Sequence, residues 1–121
     1  MKQVVFYIHG KGGNAQEAFH YQKLFPHHEV IGLDYHAQTP WEAQEELRGL
    51  FHRYMQNDTN VTLVANSIGA YFALHAFASE KIAKAYFISP IVDMEELIGH
   101  MMEWTHVTEK DLQRLGVIST S

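Results

Sequence analysis

The sequence predicts an α/β fold, in which a parallel sheet carries helices on both faces and residues 1–121 form one domain. Two observations support this prediction. Short apolar runs, typical of strands buried on both faces, recur along the chain. Segments with the apolar spacing and end signals of helices lie between them. This alternation indicates parallel strands that are joined by helical crossovers.

Each predicted element has its own local signal. The four strands span residues 3–9, 29–34, 61–66 and 84–89. The helices between them span residues 15–25, begin at Pro40, and span residues 68–79. Asn14 is the expected N-cap of the first helix, with Glu17 in the capping-box position, and Thr39 is the N-cap of the second. Two more helices are expected, one after Asp93 and one after Thr108.

Composition excludes several classes of function. A net charge of −5 gives no electrostatic reason to expect a nucleic acid or an anionic membrane as a partner. The chain has no cysteine, so disulfides and thiolate metal sites are impossible. Its histidines form no His-x-x-x-His pair, so no metal site is predicted. Because neither a signal peptide nor a long apolar span is evident, we expect a cytoplasmic protein.

The segment Ala65-Asn66-Ser67-Ile68-Gly69 carries the main chemical signal. It lies between the third strand and the third helix, with a small residue two positions away from Ser67 on each side. This pattern is typical of a nucleophile elbow, a turn so sharp that it exposes the serine hydroxyl above the sheet. The helix that follows would favour a developing oxyanion. The alternative is an ordinary turn in which Ser67 is a helix N-cap.

A glycine-rich loop, His9-Gly10-Lys11-Gly12-Gly13-Asn14, follows the first strand directly. Together with the segment around Ser67, it resembles the α/β-hydrolase family, in which a strand ends in His-Gly and a small-x-Ser-x-Gly turn comes later. The order of elements resembles that family over nearly the whole chain. The resemblance implies a four-stranded parallel sheet in the order 2-1-3-4, as in a truncated α/β-hydrolase core.

The resemblance also implies a serine hydrolase whose substrate is a small acyl ester or thioester and which uses no cofactor. Ser67 would be the nucleophile, and the backbone amides of Lys11 and Ile68 would bind the oxyanion. His9 would shape the loop by hydrogen bonding instead of serving as the general base.

A serine nucleophile needs a histidine base and an acid, and these partners are not evident in the sequence. We therefore expect a truncated hydrolase that is weakly active or inactive. Asp93 is either an N-cap or the acid. His100 and His106 follow the fourth strand, but neither has the position of the family's histidine, and each is expected to be a surface or cap residue.

The resemblance implies lid-like helices over residues 93–116. Their apolar stripe would line the acyl pocket or else cover the core or a partner. It consists of Met94, Leu97, Ile98 and Met101, with Trp104 as a further candidate member. Without further strands, the fourth strand would be an exposed apolar edge. We therefore expect pairing with a second copy and a homodimer.

Two alternatives from other classes stay open. Gly10, Gly12 and Ala15 also fit the dinucleotide-binding pattern G-x-G-x-x-A, and Asp34 ends the second strand, where a ribose-binding acid would lie. This alternative predicts a nucleotide-binding Rossmann-like domain. The other alternative is a non-catalytic binding or assembly module built on the same fold.

Overall fold

The computed structural model describes residues 2–55, 58–88, 101–102, 108 and 110. Their centre is a single sheet with the strand order β2-β1-β3-β4-β5. The strands are β1 (Lys2–Ile8), β2 (Glu29–Gly32), β3 (Thr59–Asn66), β4 (Lys84–Ile88) and β5 (Met101–Met102). The first four strands are parallel to their neighbours. The predicted parallel sheet and its order 2-1-3-4 are therefore confirmed.

In the part of the chain that the structure describes up to Ile88, three helices cover the two faces of the sheet. A 3₁₀ helix (Ala15–Leu24) packs on one face, and α1 (Pro40–Tyr54) and α2 (Ile68–Ala76) pack on the other. Residues of β1 alternate between the two cores: Phe6 and Ile8 lie toward α1 and α2, whereas Tyr7 lies toward the 3₁₀ helix. All three side chains are fully buried, as the apolar run of the first strand predicts.

The predicted helix caps are present. The Asn14 side chain accepts a hydrogen bond from the Gln16 amide at 2.9 Å, and Thr39 Oγ1 accepts one from the Glu42 amide at 3.4 Å. The predicted helix over residues 15–25 is a 3₁₀ helix, and the backbone of Ala15 lies directly over β2. A Cβ added to Gly32 would overlap the Ala15 carbonyl oxygen, so only glycine fits at that point of β2.

The sheet differs from the prediction at the edge beyond β4. The sequence predicts β4 as an exposed edge and Met101 as part of a helical stripe. Instead, Met101 and Met102 form β5, which pairs antiparallel with β4 at Tyr86 and Ala85. The physical reason is that the outer backbone groups of β4 gain partners from this short strand. Most of the predicted lid-like region, 93–116, lies outside the described residues.

Within the described part of the chain, no helix has the length and apolarity that a membrane span requires.

Candidate active site

Ser67 is the single residue between β3 and α2, and its backbone is strained. Its φ is +53° and its ψ is −121°, a conformation that a residue with a side chain rarely adopts. An ordinary N-cap is extended, as Thr39 is here with φ −122°. The Ser67 side chain also makes no capping hydrogen bond. The geometry is thus that of a sharp strand-to-helix turn and not that of a serine N-cap.

The two small residues around Ser67 lie in crowded surroundings. A Cβ added to Gly69 would lie 2.5 Å from the carbonyl oxygen of His9. Ala65 is fully buried between Ile8 and Phe87, its partners on the two neighbouring strands. The first turn of α2 can therefore lie directly against the end of β1.

The loop after β1 packs against the turn at Ser67. A Cβ added to Gly10 would lie 2.9 Å from the carbonyl oxygen of Asn66 and 3.4 Å from the Cβ of Ser67. The loop is closed by a hydrogen bond from the Gly13 amide to the Gly10 carbonyl at 3.1 Å. Gly12 has a φ of +79°, which makes residues 10–13 a type II turn.

This packing brings together the three residues that the sequence singles out. Lys11 lines two cavities, one together with Ser67 and the other together with Ile68. Ile68 is the first residue of α2, so its amide has no acceptor within the helix. The Ser67 amide, by contrast, donates to the Ile88 carbonyl at 2.8 Å. Lys11 is the second residue of the type II turn, and its amide takes no part in the bond that closes the turn.

His9 fastens the loop to the segment that follows β2. Its Nδ1 lies 2.9 Å from the Gly10 carbonyl oxygen, and its Nε2 lies 3.1 Å from that of Tyr35. The Tyr35 ring stacks on the imidazole with a centroid distance of 4.3 Å, and its hydroxyl donates to the His9 carbonyl at 2.6 Å. Burial, and to a lesser extent the Glu46 carboxylate, raises the pKa of Tyr35, which keeps the hydroxyl a donor. The imidazole is therefore occupied in shaping the loop.

The two cavities differ in character. The larger, of about 410 Å³, has walls from Tyr35, Ala37, Ile68 and Phe72. The smaller, of about 320 Å³, is lined by Glu17, Asn66 and Ser67 together with the glycine loop. The polar cavity beside the Ser67 hydroxyl could receive the leaving group of an ester. The more apolar cavity beside the Ile68 amide could receive its acyl chain.

Two acidic residues of the site are not evident from the sequence as site residues. Glu46, on α1, accepts hydrogen bonds from the backbone amides of His36 and Ala37, all at 3.0 Å. Glu17 accepts one from the Tyr7 hydroxyl at 2.8 Å. The capping-box pattern marks Glu17 only as a helix-start residue. No local pattern marks Glu46, because its partners His36 and Ala37 precede it by ten and nine residues and lie before the start of the helix.

Other sequence candidates lie elsewhere. Asp34 is exposed and 3.5 Å from the side chain of His36, and it does not line the larger cavity with the glycine loop. Asp93, His100 and His106 lie outside the described residues. Among the described residues, no group of three or more His, Asp or Glu side chains has the arrangement of a metal site.

In comparisons with protein-family models and with curated proteins, the chain matches none.

Proposed function

We propose that the protein is a serine hydrolase that acts on carboxylic esters or thioesters of small apolar acyl groups. The observation that carries this proposal is the backbone at Ser67, where φ is +53° and the side chain makes no capping bond. Strain of this kind costs about 1–3 kcal/mol and persists where the surrounding structure enforces it, often at reactive sites.

The proposed reaction begins with attack of Ser67 Oγ on the carbonyl carbon. The carbonyl oxygen becomes an oxyanion, which accepts hydrogen bonds from the amides of Lys11 and Ile68. Collapse of this intermediate breaks the bond to the alcohol or thiol and leaves an acyl group on Ser67. Water then attacks the acyl carbon, and the acid and the free serine are released.

The attack requires a base that takes the proton of Ser67. The two ring nitrogens of His9 face the carbonyl oxygens of Gly10 and Tyr35 and not Ser67, so His9 is not placed to take this proton. We expect turnover by the described residues alone to be slow, because loss of triad members costs about 10⁶ in kcat. Covalent modification of Ser67 is therefore a more sensitive test than turnover.

The proposed substrate fits the cavities. The acyl chain would lie in the larger cavity against Ile68 and Phe72, and the leaving group would lie in the smaller one near Asn66. No cofactor is proposed. A cytoplasmic location and a homodimer belong to the same proposal, and the dimer would form at the outer sheet edge, which β5 and not β4 provides. Light scattering that shows only monomer at high concentration would contradict the dimer.

The test is labelling with a fluorophosphonate probe, followed by intact-mass measurement. We expect one adduct per chain, its absence in Ser67→Ala, and its retention in Ser79→Ala. Ser79 is an exposed serine beyond the end of α2 and is the matched control. An unlabelled but folded wild type, or an adduct that persists in Ser67→Ala, would contradict the proposal and favour a non-catalytic binding module. Saturable binding of a dinucleotide would favour the Rossmann-like alternative.

A further inference from the structure

A hydrogen-bonded chain of three side chains lies beside Ser67, on the face of the sheet covered by the 3₁₀ helix. The Tyr7 hydroxyl donates to Glu17 Oε1 at 2.8 Å, and Asn66 Nδ2 donates to the same hydroxyl at 3.4 Å. Tyr7 is fully buried in the middle of this chain, and its ring stacks on Tyr21 at 5.0 Å. The chain thus joins the 3₁₀ helix, β1 and the residue that precedes Ser67.

The same carboxylate also touches the glycine loop. A Cβ added to Gly13 would lie 2.6 Å from Glu17 Oε1, so the loop backbone and the carboxylate are packed together without space for a methyl group. Gly13 is the residue whose amide closes the turn over residues 10–13. The Glu17 carboxylate therefore lies directly against the loop that carries Lys11.

These contacts connect the two halves of the proposed oxyanion hole. One amide, that of Lys11, lies on the loop against which Glu17 packs. The other, that of Ile68, lies two residues after Asn66. Burial raises the pKa of Tyr7, so its hydroxyl stays protonated and able to donate to Glu17 at neutral pH. A hydroxyl donor on a carboxylate forms a bond roughly twice as strong as one between neutral groups.

We propose that Glu17 is a positioning residue that, through Tyr7 and Asn66, sets the placement of the loop amide relative to the amide at Ile68. This inference rests on the proposed serine chemistry. It adds a role for a carboxylate that does not touch the reacting atoms. The expected effect on the rate is large, because a displacement of about 1 Å at a catalytic group can lower the rate about 100-fold.

The experiment compares Glu17→Ala with Glu17→Gln and Tyr7→Phe. Glu17→Gln keeps an oxygen that accepts from Tyr7, whereas the other two changes remove the bond. Tyr86→Phe is the control, because it removes a hydroxyl from a buried tyrosine in the same apolar core. Two quantities are measured in each variant: the rate constant for fluorophosphonate labelling of Ser67, and the exchange rate of the Gly13 amide by NMR.

We expect Glu17→Ala and Tyr7→Phe to slow labelling by up to about 100-fold and to speed exchange of the Gly13 amide. Glu17→Gln should stay within a few-fold of wild type in both measurements, and Tyr86→Phe should match wild type. A Gly13 exchange rate in Glu17→Ala equal to that of the wild type would overturn the inference, and so would an equal labelling rate where the wild type is labelled.

The two readouts separate this inference from the proposed function. If the wild type is not labelled but Glu17→Ala speeds Gly13 exchange, the serine chemistry fails while Glu17 still positions the loop. If the wild type is labelled but Glu17→Ala leaves Gly13 exchange unchanged, the serine chemistry stands and Glu17 has no positioning role.

Discussion

The Cα of Gly69 lies so close to the carbonyl oxygen of His9 that a Cβ at position 69 would approach it within 2.5 Å. The Ile8 carbonyl oxygen would lie at 2.7 Å from the same added atom. Both obstacles are backbone atoms of β1 and the loop, so they cannot move away as the end of a side chain could. The contact between these two residues therefore fixes how closely α2 and the turn at Ser67 approach the glycine loop.

Gly69→Ala should consequently destabilise the protein by about 1–3 kcal/mol, the range typical of overpacking in a core. It should also slow labelling of Ser67, because the added methyl group pushes α2 away from the loop that carries Lys11. Urea denaturation and the labelling rate constant measure the two effects.

Gly49→Ala is the matched control for this substitution. Gly49 is an exposed residue inside α1, and an added Cβ there would meet no atom within 4 Å. We expect this variant to be more stable by about 0.5–1 kcal/mol, since alanine is the better helix former, with labelling unchanged. Equal stability effects in the two variants would contradict the steric account of Gly69.

The strain at Ser67 makes a prediction that does not depend on catalysis. Glycine adopts a φ of +53° without the steric cost that a Cβ imposes. Ser67→Gly should therefore be more stable than Ser67→Ala by about 1 kcal/mol, although both lose the nucleophile. The difference in free energy of unfolding between these two variants is the measurement. A Ser67→Ala variant at least as stable as Ser67→Gly would show that the turn is not strained.

The sheet and the turn at Ser67 could be predicted because their determinants are local in sequence. The apolar run in β1 and the small side chain of Ala65 reflect burial in the sheet, and the glycine at 69 reflects a close backbone approach next to Ser67. The antiparallel pairing of β5 with β4 could not be predicted in this way. It depends on which backbone groups are free after the rest of the sheet has formed.

The parts of the site that could not be predicted are contacts between distant residues. Tyr7 and Glu17 are ten residues apart, and Tyr7 and Asn66 are fifty-nine apart. In the sequence, Tyr7 is one more member of an apolar strand and Glu17 one more polar residue at a helix start. Only the alternation of β1, which turns Tyr7 toward the 3₁₀ helix, brings its hydroxyl to the carboxylate.

Glu46 holds the segment that follows β2 in place beside the larger cavity. Its two carboxylate oxygens accept hydrogen bonds from the amides of His36 and Ala37 at 3.0 Å. Glu46→Ala should raise the probe concentration for half-maximal labelling about tenfold, as expected for loss of hydrogen bonds to a charged group. The maximal labelling rate should change little, because Ser67 is not displaced.

Glu46→Gln is the conservative variant. Its side chain has one acceptor oxygen in place of two, so it can keep only some of the hydrogen bonds from the His36 and Ala37 amides. We expect its effect to be intermediate. A fall in maximal rate in Glu46→Ala, with the half-maximal concentration unchanged, would argue that this segment does not form part of the binding cavity.

Phe72 limits the larger cavity at one side of the proposed acyl site. Its replacement by alanine should enlarge the cavity and shift the preference of Ser67 toward probes with longer alkyl chains. We expect the labelling rate to rise about tenfold for each added methylene that fills the enlarged cavity, since one methylene in an apolar pocket is worth about 1–3 kcal/mol. Relative labelling rates across a series of alkyl fluorophosphonates give the measurement. An unchanged ranking would place the acyl group elsewhere.

Three buried tyrosines, Tyr7, Tyr21 and Tyr35, should make the protein sensitive to alkaline pH. Burial raises the pKa of each above the ordinary value of 10.0. In the unfolded chain these phenols ionise near pH 10, whereas in the folded chain they keep their protons. The folded state therefore binds more protons in this range, and the free energy of unfolding must decrease as the pH rises above 10.

The expected slope is about 1.4 kcal/mol per pH unit for each tyrosine, or about 4 kcal/mol per unit for all three at most. Urea denaturation at pH 8 to 11 measures it, with little contribution from these groups below pH 9. Tyr7→Phe should reduce the slope by about one third, because one of the three linked protons is removed, even though the variant also loses a hydrogen bond. A slope that is unchanged in Tyr7→Phe would mean that Tyr7 ionises as readily in the folded chain as in the unfolded one. Its hydroxyl would then not be held as a buried donor between Asn66 and Glu17.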